Sequence, residues 1–187
     1  MKKIITSLLL IFCFIATTHS QEKLPIKLSK STIKWIAEYT FYFGGHEGYI
    51  NFKKGYLIKT DNKITGGKFI VDMNTISNTD IDKKDANESL VNHLKDPDFF
   101  DVKKFPIAEL EFTKVEYESS TKMRIEANLS IKEIKLPINF SATANYDEAT
   151  LSTKFKIDRT RWGINYNSKI KDGAISDAIG FIVKLAL

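Results

Sequence analysis

The sequence contains one cysteine, Cys13, among 187 residues, and this scarcity excludes several kinds of chemistry. Cys13 lies in an N-terminal apolar run that we expect to be removed. The chain after residue 20 can then form no disulfide and offers no thiolate nucleophile or metal ligand. Its core must therefore be held by the burial of apolar side chains alone.

Histidines and nucleophile motifs are equally sparse. His46 and His93 are the histidines that remain after residue 20, and no HxH or HExxH spacing accompanies them. No serine lies in a GxSxG turn, and neither Asp72 nor Asp158 has an evident carboxylate partner. We therefore expect no catalytic residues, no metal and no cofactor.

The N-terminal residues have the pattern of a secretory signal peptide. Two lysines precede an apolar run over residues 4–16, which is too short to span a bilayer, and small residues follow it. Bulky Phe12 before Cys13 argues against a lipid anchor at that position. We expect residues 1–20 to be cleaved and residues 21–187 to form one exported domain, periplasmic or secreted.

The charged side chains are balanced and dispersed. The net charge of +5 falls to +3 once Lys2 and Lys3 are removed. The remaining lysine pairs lie among carboxylates and form no concentrated basic stripe. Nucleic acid is therefore not an expected partner.

Apolar and polar side chains alternate in steps of two along most of the chain, which indicates half-buried β-strands. Residues 133–146 show the pattern almost without error. A change of apolar parity after Phe112 predicts a bulge, and Pro137 at an outward position fits a strand edge or end. The candidate strands are 32–43, 49–60, 64–76, 106–118, 122–131, 133–146, 151–157 and 174–187.

Eight strands joined by short turns predict an antiparallel meander that closes into a barrel. An outer-membrane barrel would turn its apolar faces outward to lipid. The many lysines and glutamates on the polar faces argue against that arrangement, since a narrow lumen could not neutralise them. We therefore expect an all-β barrel with an apolar interior.

A short helix is predicted to interrupt the strands. Asp85 followed by Glu88 is a helix-start pattern with Asp85 as the N-cap, and apolar residues follow at helical spacing. The Asp96-Pro97 step ends the helix. The helix and the following turn should form an insertion around residues 86–101.

Five segments together resemble the YceI-like family: "GGHEGYINF" (44–52), "GGKFIVDMNTI" (66–76), "HLKDPDFFDVKKFPIAELEF" (93–112), "NLSIKEIKLPINF" (128–140) and "IDRTRWGINYNS" (157–168). The resemblance covers residues 31–187, in the family's order. It departs at Asp96, where the family usually has serine, and at Glu133, where it usually has glycine.

This resemblance implies an extended, lipocalin-like, eight-stranded antiparallel barrel that binds an isoprenoid or similar amphiphilic lipid in its apolar bore, in the periplasm and without catalysis. The residues expected to contact the ligand are Trp35, Tyr39, Phe41, His46, Phe69, Val71, Phe99, Phe100, Leu110, Phe112, Ile138, Phe140, Phe155, Arg159, Trp162, Ile179 and Phe181.

Three of these positions carry more specific hypotheses. Arg159 is either a structural ion pair near a barrel end or a bidentate contact to a lipid head group, with His46 as a second head-group contact. Trp162 could form part of the wall at the open end of the barrel, with one side of its ring in contact with water. Phe99 and Phe100 should point in different directions and form, with the helix, a stopper at one end of the bore.

Two other functions stay open on the sequence: a barrel packed by its own aromatic side chains that acts as an interaction module, and an isoprenoid-modifying enzyme. The sequence also leaves open transient contact with a membrane surface and a homodimer.

Overall fold

The computed structural model describes residues 20–40, 43–165 and 175–187. Within these ranges, β-strands alternate with short turns and one α-helix. The elements are β1 (Gln21–Pro25), β2 (Thr32–Tyr39), β3 (Gly45–Thr60), β4 (Lys63–Asn78), α1 (Lys84–Lys95), β5 (Ile107–Tyr117), β6 (Lys122–Ile131), β7 (Ile134–Asn145), β8 (Thr150–Asp158) and β9 (Ile175–Ala186).

The strands β2 to β9 form a closed antiparallel barrel. Each strand from β3 to β8 pairs with the next along the chain, and β9 returns to pair with β2, which itself pairs with β3. The strand β1 is additional and pairs with the second half of β3, next to the edge that β2 occupies. Each of the eight strands pairs with a neighbour on both sides, as predicted, although the β7–β8 ladder covers only Ala142–Asn145 of β7.

The predicted strands are confirmed, with differences at their ends. We missed β1, because its five residues QEKLP carry no clear alternation. The strand β2 ends at Tyr39, before the predicted end at residue 43, and Phe43 is fully exposed. Phe41 lies outside the described residues.

The predicted irregularities of β5 and β7 are also present. The pairing of β5 with β6 shifts between Phe112 and Lys114, where the apolar parity changes. Pro137 pairs with Asn128 of β6 on one side, and its other side lies beyond the ladder that joins β7 to β8. Proline is accommodated there because a residue without a backbone N–H can occupy a local edge.

The helix begins earlier than predicted. Its N-cap is Lys83, which provides no side-chain cap, and Asp85 lies inside the first turn. Our assignment of Asp85 as the N-cap was therefore wrong. Its carboxylate in the first turn still stabilises the helix through a favourable interaction with the helix dipole. The predicted end is confirmed, since Asp96 is the C-cap in an extended conformation.

The turn between β6 and β7 consists of two residues with positive φ. Lys132 has a φ of 49° and Glu133 a φ of 65°. Two-residue hairpin turns of this type favour glycine or asparagine, because other side chains are crowded in the left-handed region. Glutamate at position 133 therefore carries some local strain.

The apolar faces of the strands point into the barrel. Along β6, Met123, Ile125 and Ala127 are buried, while Lys122, Arg124 and Glu126 between them are exposed. This is the arrangement of a barrel in water and not of one whose apolar faces meet lipid. In the part of the chain that is described, no helix has both the length and the apolar content of a membrane span.

The close approach of β3 and β4 at Gly48 yields a stability prediction. A Cβ atom at Gly48 would lie 1.8 Å from the Ser77 carbonyl oxygen, whereas one at Gly180 would be at least 3.7 Å from its nearest neighbours. We expect Gly48→Ala to lower the free energy of unfolding by more than about 2 kcal/mol and the matched control Gly180→Ala to change it by less than about 0.5 kcal/mol. Urea denaturation measures both, and equal effects would contradict the close approach.

Candidate ligand-binding cavity

The barrel encloses an apolar cavity of about 160 Å³, which the end of α1 and the turn after it cover on one side. For comparison, an engineered apolar cavity of about 150 Å³ stays dry and binds benzene. Thr153 is the one polar residue among those that line the cavity. The lining residues are Ile33, Trp35, Ala37, Ile50, Phe52, Phe69, Val71, Met73, Ile76, Leu94, Phe99, Phe100, Ala108, Leu110, Phe112, Leu129, Ile131, Phe140, Leu151, Thr153, Phe155, Ile179, Phe181, Val183 and Leu185.

Farther from α1, part of the bore is filled by the protein's own side chains. Leu57, Ile64, Met123, Ile125 and Ala144 are between 0% and 4% exposed there, and none of them lines the cavity. The Tyr117 hydroxyl at this end accepts a hydrogen bond from the Ile64 N–H at 2.7 Å. These side chains narrow the bore, although Leu151 and Leu185 at the same end of β8 and β9 still line the cavity.

Six phenylalanines form a continuous belt around the cavity wall. Successive ring centroids from Phe52 through Phe69, Phe112, Phe140 and Phe155 to Phe181 lie between 4.8 and 6.1 Å apart. Such contacts each stabilise by about 0.5–1.5 kcal/mol beyond burial alone. The belt gives a ligand an aromatic wall without hydrogen-bonding groups.

The α1 end of the cavity is covered by Leu94, Phe99 and Phe100. The two phenylalanine rings lie 5.1 Å apart, and both line the cavity. Our expectation that adjacent residues of this turn would point in different directions was wrong, because the turns that follow Asp96 bring both rings to the same side. We call these three side chains the stopper.

The stopper is fastened from several directions. The Phe100 N–H donates to the Leu94 carbonyl at 3.2 Å, and the Val102 N–H donates to the Lys95 carbonyl at 3.0 Å. The Lys132 ammonium donates to the Phe99 carbonyl at 2.9 Å. The Arg159 guanidinium lies over the Phe99 ring, 6.0 Å from its centroid.

Most of the predicted contact residues meet at this cavity. Those on the lining are Trp35, Phe69, Val71, Phe99, Phe100, Leu110, Phe112, Phe140, Phe155, Ile179 and Phe181. Tyr39, His46, Ile138, Arg159 and Trp162 are placed elsewhere, and Phe41 lies outside the described residues. Whether any of these residues contacts a ligand stays a prediction.

The sequence analysis missed further lining residues of two kinds. Ile33, Ala37 and Val183 share the inward parity of predicted neighbours, so a stricter reading of the alternation would have found them. Phe52 and Met73 lie in the long strands β3 and β4, whose pairing shifts register at several points. No simple alternation survives such shifts, so sequence pattern alone could not have placed them.

Arg159 is engaged with the protein itself. It is buried, and its guanidinium lies 2.9 Å from the Asp177 carboxylate and also donates to the carbonyls of Ser176 and Ile164. This favours the structural ion pair over a head-group contact, with Asp177 as the carboxylate partner. Asp158 instead accepts hydrogen bonds from Thr160, which lower the pKa of its carboxyl group.

Trp162 is fully buried and does not line a wet mouth. Its indole N–H donates to the Leu129 carbonyl at 3.1 Å. The expectation that this ring would have one side in water was therefore wrong. The 3₁₀ turn Arg159–Trp162 instead packs Trp162 and the following Ile164 into the core.

A polar chain of three side chains lies near the α1 end. The Tyr39 hydroxyl is 3.0 Å from His46 Nε2, and His46 Nδ1 is 2.8 Å from an Asp80 carboxylate oxygen. Burial alone would raise the pKa of Asp80, but hydrogen bonds from the Glu47 N–H, His46 and Asn78 outweigh it and lower the pKa below its ordinary value. This polar chain connects the beginning of β3 to the residues just after β4.

His93, Asp96 and Asp98 form a cluster whose potential ligand atoms lie within 4.8 Å of one another. Both aspartates are exposed, and exposed acidic groups of this kind are common without an ion. The cluster therefore does not establish a metal site.

A family model, described as the YceI-like domain, matches residues 24–187 of the chain. The comparison with curated proteins found no match.

The fold is similar to those of solved bacterial structures. The crystal structure of Burkholderia cenocepacia BcnA matches with a TM-score of 0.71 and 16% sequence identity, covering 86% of this chain and 98% of that one. A mutant Campylobacter jejuni YCEI protein matches with a TM-score of 0.51 and 17% identity, covering 96% and 97% respectively. At such low identity these matches show the shared fold.

The lowered pKa of Asp80 yields a prediction about acid stability. A carboxylate whose pKa is lowered by folding stabilises the fold above its unfolded pKa, and this contribution is lost as the pH falls through the folded pKa. Asp80→Asn should therefore lower the urea midpoint at about pH 7 and lose less stability than the wild type between about pH 5 and about pH 2.

Asp147→Asn, in an exposed turn at the opposite end, is the control for this measurement. It should leave both the midpoint and its pH dependence as in the wild type. If Asp80→Asn shows the same acid dependence as the wild type, the polar chain does not stabilise the fold.

Proposed function

The chain belongs to the YceI-like domain family, and from this premise we propose that it is an exported protein that holds an isoprenoid or similar long-chain amphiphile in its bore, for carriage or storage. YceI-like barrels fit the binding of hydrophobic ligands. The proposal narrows that general role to one class of ligand and to an exported protein.

The observation that carries the proposal is the cavity itself, because it combines an apolar lining with an aromatic belt. A cavity without polar partners holds water poorly, so an apolar chain is its most favourable occupant. The hydroxyl of Thr153, the one polar residue on the lining, is engaged with the Ser141 carbonyl at 2.7 Å.

The affinity would come from the transfer of the chain out of water. Each buried methylene contributes about 0.8 kcal/mol, so ten would contribute roughly 8 kcal/mol before the cost of ordering the ligand. The present cavity is similar in volume to one that holds benzene, so a longer chain requires lining side chains to move. Phenylalanine rings at β-strand positions can make room by rotating about χ1 and χ2.

A non-catalytic role is part of the proposal. The described residues that line the cavity offer no nucleophile beside a general base and no pair of carboxylates. The export expected from the N-terminal sequence would place the protein in the periplasm or outside the cell, where transient contact with a membrane surface would supply the lipid. A homodimer is compatible with this role and is not required by it.

Native mass spectrometry of protein purified from a bacterial host without detergent tests the proposal. We expect a bound lipid on the wild type and reduced occupancy on Ala37→Phe, which places a ring in the cavity. Ile36→Phe is the matched control, because the neighbouring side chain points away from the bore. It should retain wild-type occupancy.

Two outcomes would contradict the proposal. An empty wild-type protein that does not respond to added farnesol would favour the alternative of a barrel packed by its own side chains, which the filled half of the bore resembles. Chemical conversion of the bound lipid would instead indicate an enzyme.

Affinity should depend on the length of the apolar chain more than on the head group. In a series of straight-chain alcohols, the dissociation constant should fall by about fourfold for each added methylene until the bore is filled. Isothermal titration calorimetry measures the series. A dissociation constant that is independent of chain length would contradict the prediction, because burial of the apolar chain would then not provide the binding free energy.

A further inference from the structure

The ladder between β7 and β8 is much shorter than the strands that it joins. It extends from Ala142 opposite Thr153 to Asn145 opposite Thr150. The β8–β9 ladder, by contrast, covers the whole of β8. Residues 134–141 of β7 and 154–158 of β8 therefore lie beyond the described pairing between these two strands, and we call this stretch the seam.

Inward-facing side chains become more exposed where the seam begins. On the inner face of β7, Ala144, Ala142 and Phe140 are 4%, 2% and 7% exposed. The next two inward positions, Leu136 and Ile138, are only half-buried, and so is Phe155 on β8, whereas Ile157 near the end of β8 is buried. Solvent thus reaches apolar side chains of the bore along the seam.

Side chains hold the seam together where backbone pairing has stopped. The Phe140 and Phe155 rings stack with centroids 4.8 Å apart and an interplanar angle of 19°, and both line the cavity. A stacked pair of this kind stabilises by about 0.5–1.5 kcal/mol, and its rings can rotate apart without breaking a backbone hydrogen bond. The aromatic pair therefore separates the cavity from the seam.

The seam has defined limits. At one end the backbone ladder resumes at Ala142 and Thr153. At the other end the 3₁₀ turn packs Trp162 and Ile164 into the core, with at most 1% exposure. The five β8 residues of the seam, at about 3.3 Å each, make the opening roughly 16 Å long, which suits a chain-like ligand.

The stopper is a less suitable passage than the seam. Opening it would break the backbone bonds of the turn after α1 and the contact of the Lys132 ammonium with the Phe99 carbonyl. Opening the seam would separate one aromatic pair and break one hydrogen bond, from the Thr153 hydroxyl to the Ser141 carbonyl. The difference in broken hydrogen bonds favours the seam.

We propose that the seam between β7 and β8 is a lateral passage through which an apolar chain reaches the cavity, with Phe140 and Phe155 as its gate. The proposal rests on the proposed function, since it needs a ligand that enters the bore. The rings turn aside, the chain slides between the two strands, and the stack closes behind it while the stopper stays in place.

Cross-linking across the seam tests the passage. The mature chain has no cysteine, so Asn139→Cys with Lys156→Cys creates a single pair of thiols on opposite sides of the seam, both on exposed outward positions. Asn139→Cys with Glu126→Cys is the matched control, because these two residues are paired across the complete β6–β7 ladder. A short bifunctional maleimide joins each pair after folding, and mass spectrometry verifies the bridge.

The readout is the rate at which parinaric acid, a fluorescent polyunsaturated fatty acid, enters the barrel in a stopped-flow experiment. We expect the bridged seam to slow uptake by about tenfold or more relative to the bridged control, with the same fluorescence at equilibrium. Lys132→Met, which loosens the stopper, should change the rate by less than about twofold.

Equal uptake rates in the two bridged proteins would overturn the passage, as would faster uptake by Lys132→Met with no effect of the seam bridge. These results would leave the proposed function intact, because the ligand would still bind. If wild-type protein takes up no parinaric acid, the proposed function fails and the passage fails with it.

Discussion

The whole structure depends on one constraint, which is that each strand of the barrel is apolar on one side and polar on the other. Backbone groups must be hydrogen-bonded when they leave water, and a closed antiparallel sheet satisfies them without free edges. Closure then leaves a single common interior for all the apolar faces. The chain has no disulfide that could hold another arrangement, so the burial of these faces fixes the fold.

The same constraint produces a bore that is filled in one part and hollow in another. Small residues such as Ala127, Ala142 and Ala144 lie where the bore is filled, whereas the phenylalanine belt surrounds the empty part. Residue size alone therefore does not decide where space remains. The space depends on how far apart the strands lie at each level and on the stopper, which covers the α1 end without filling it.

The polar residues that drew notice in the sequence have structural partners. Arg159 is neutralised by Asp177, and His46 lies between Tyr39 and Asp80. The strands, the bulge in β5 and part of the cavity lining followed from period-two alternation. The N-cap at Lys83, the shared direction of Phe99 and Phe100 and the end of β2 at Tyr39 could not be predicted, because helix starts and turns depend on local dihedral angles that the alternation does not encode.

The sequence by itself determined the strand pattern, the short helical insertion and which side of each strand would be apolar, because these follow from the spacing of side chains along one strand or helix. Only the tertiary structure decided which partners lie opposite one another. The pairing of β1 with β3 joins residues far apart in the chain. The short β7–β8 ladder and the shared direction of the two stopper rings depend on how the neighbouring strands and turns pack. Their geometry depends on closure of the barrel, which no single segment specifies.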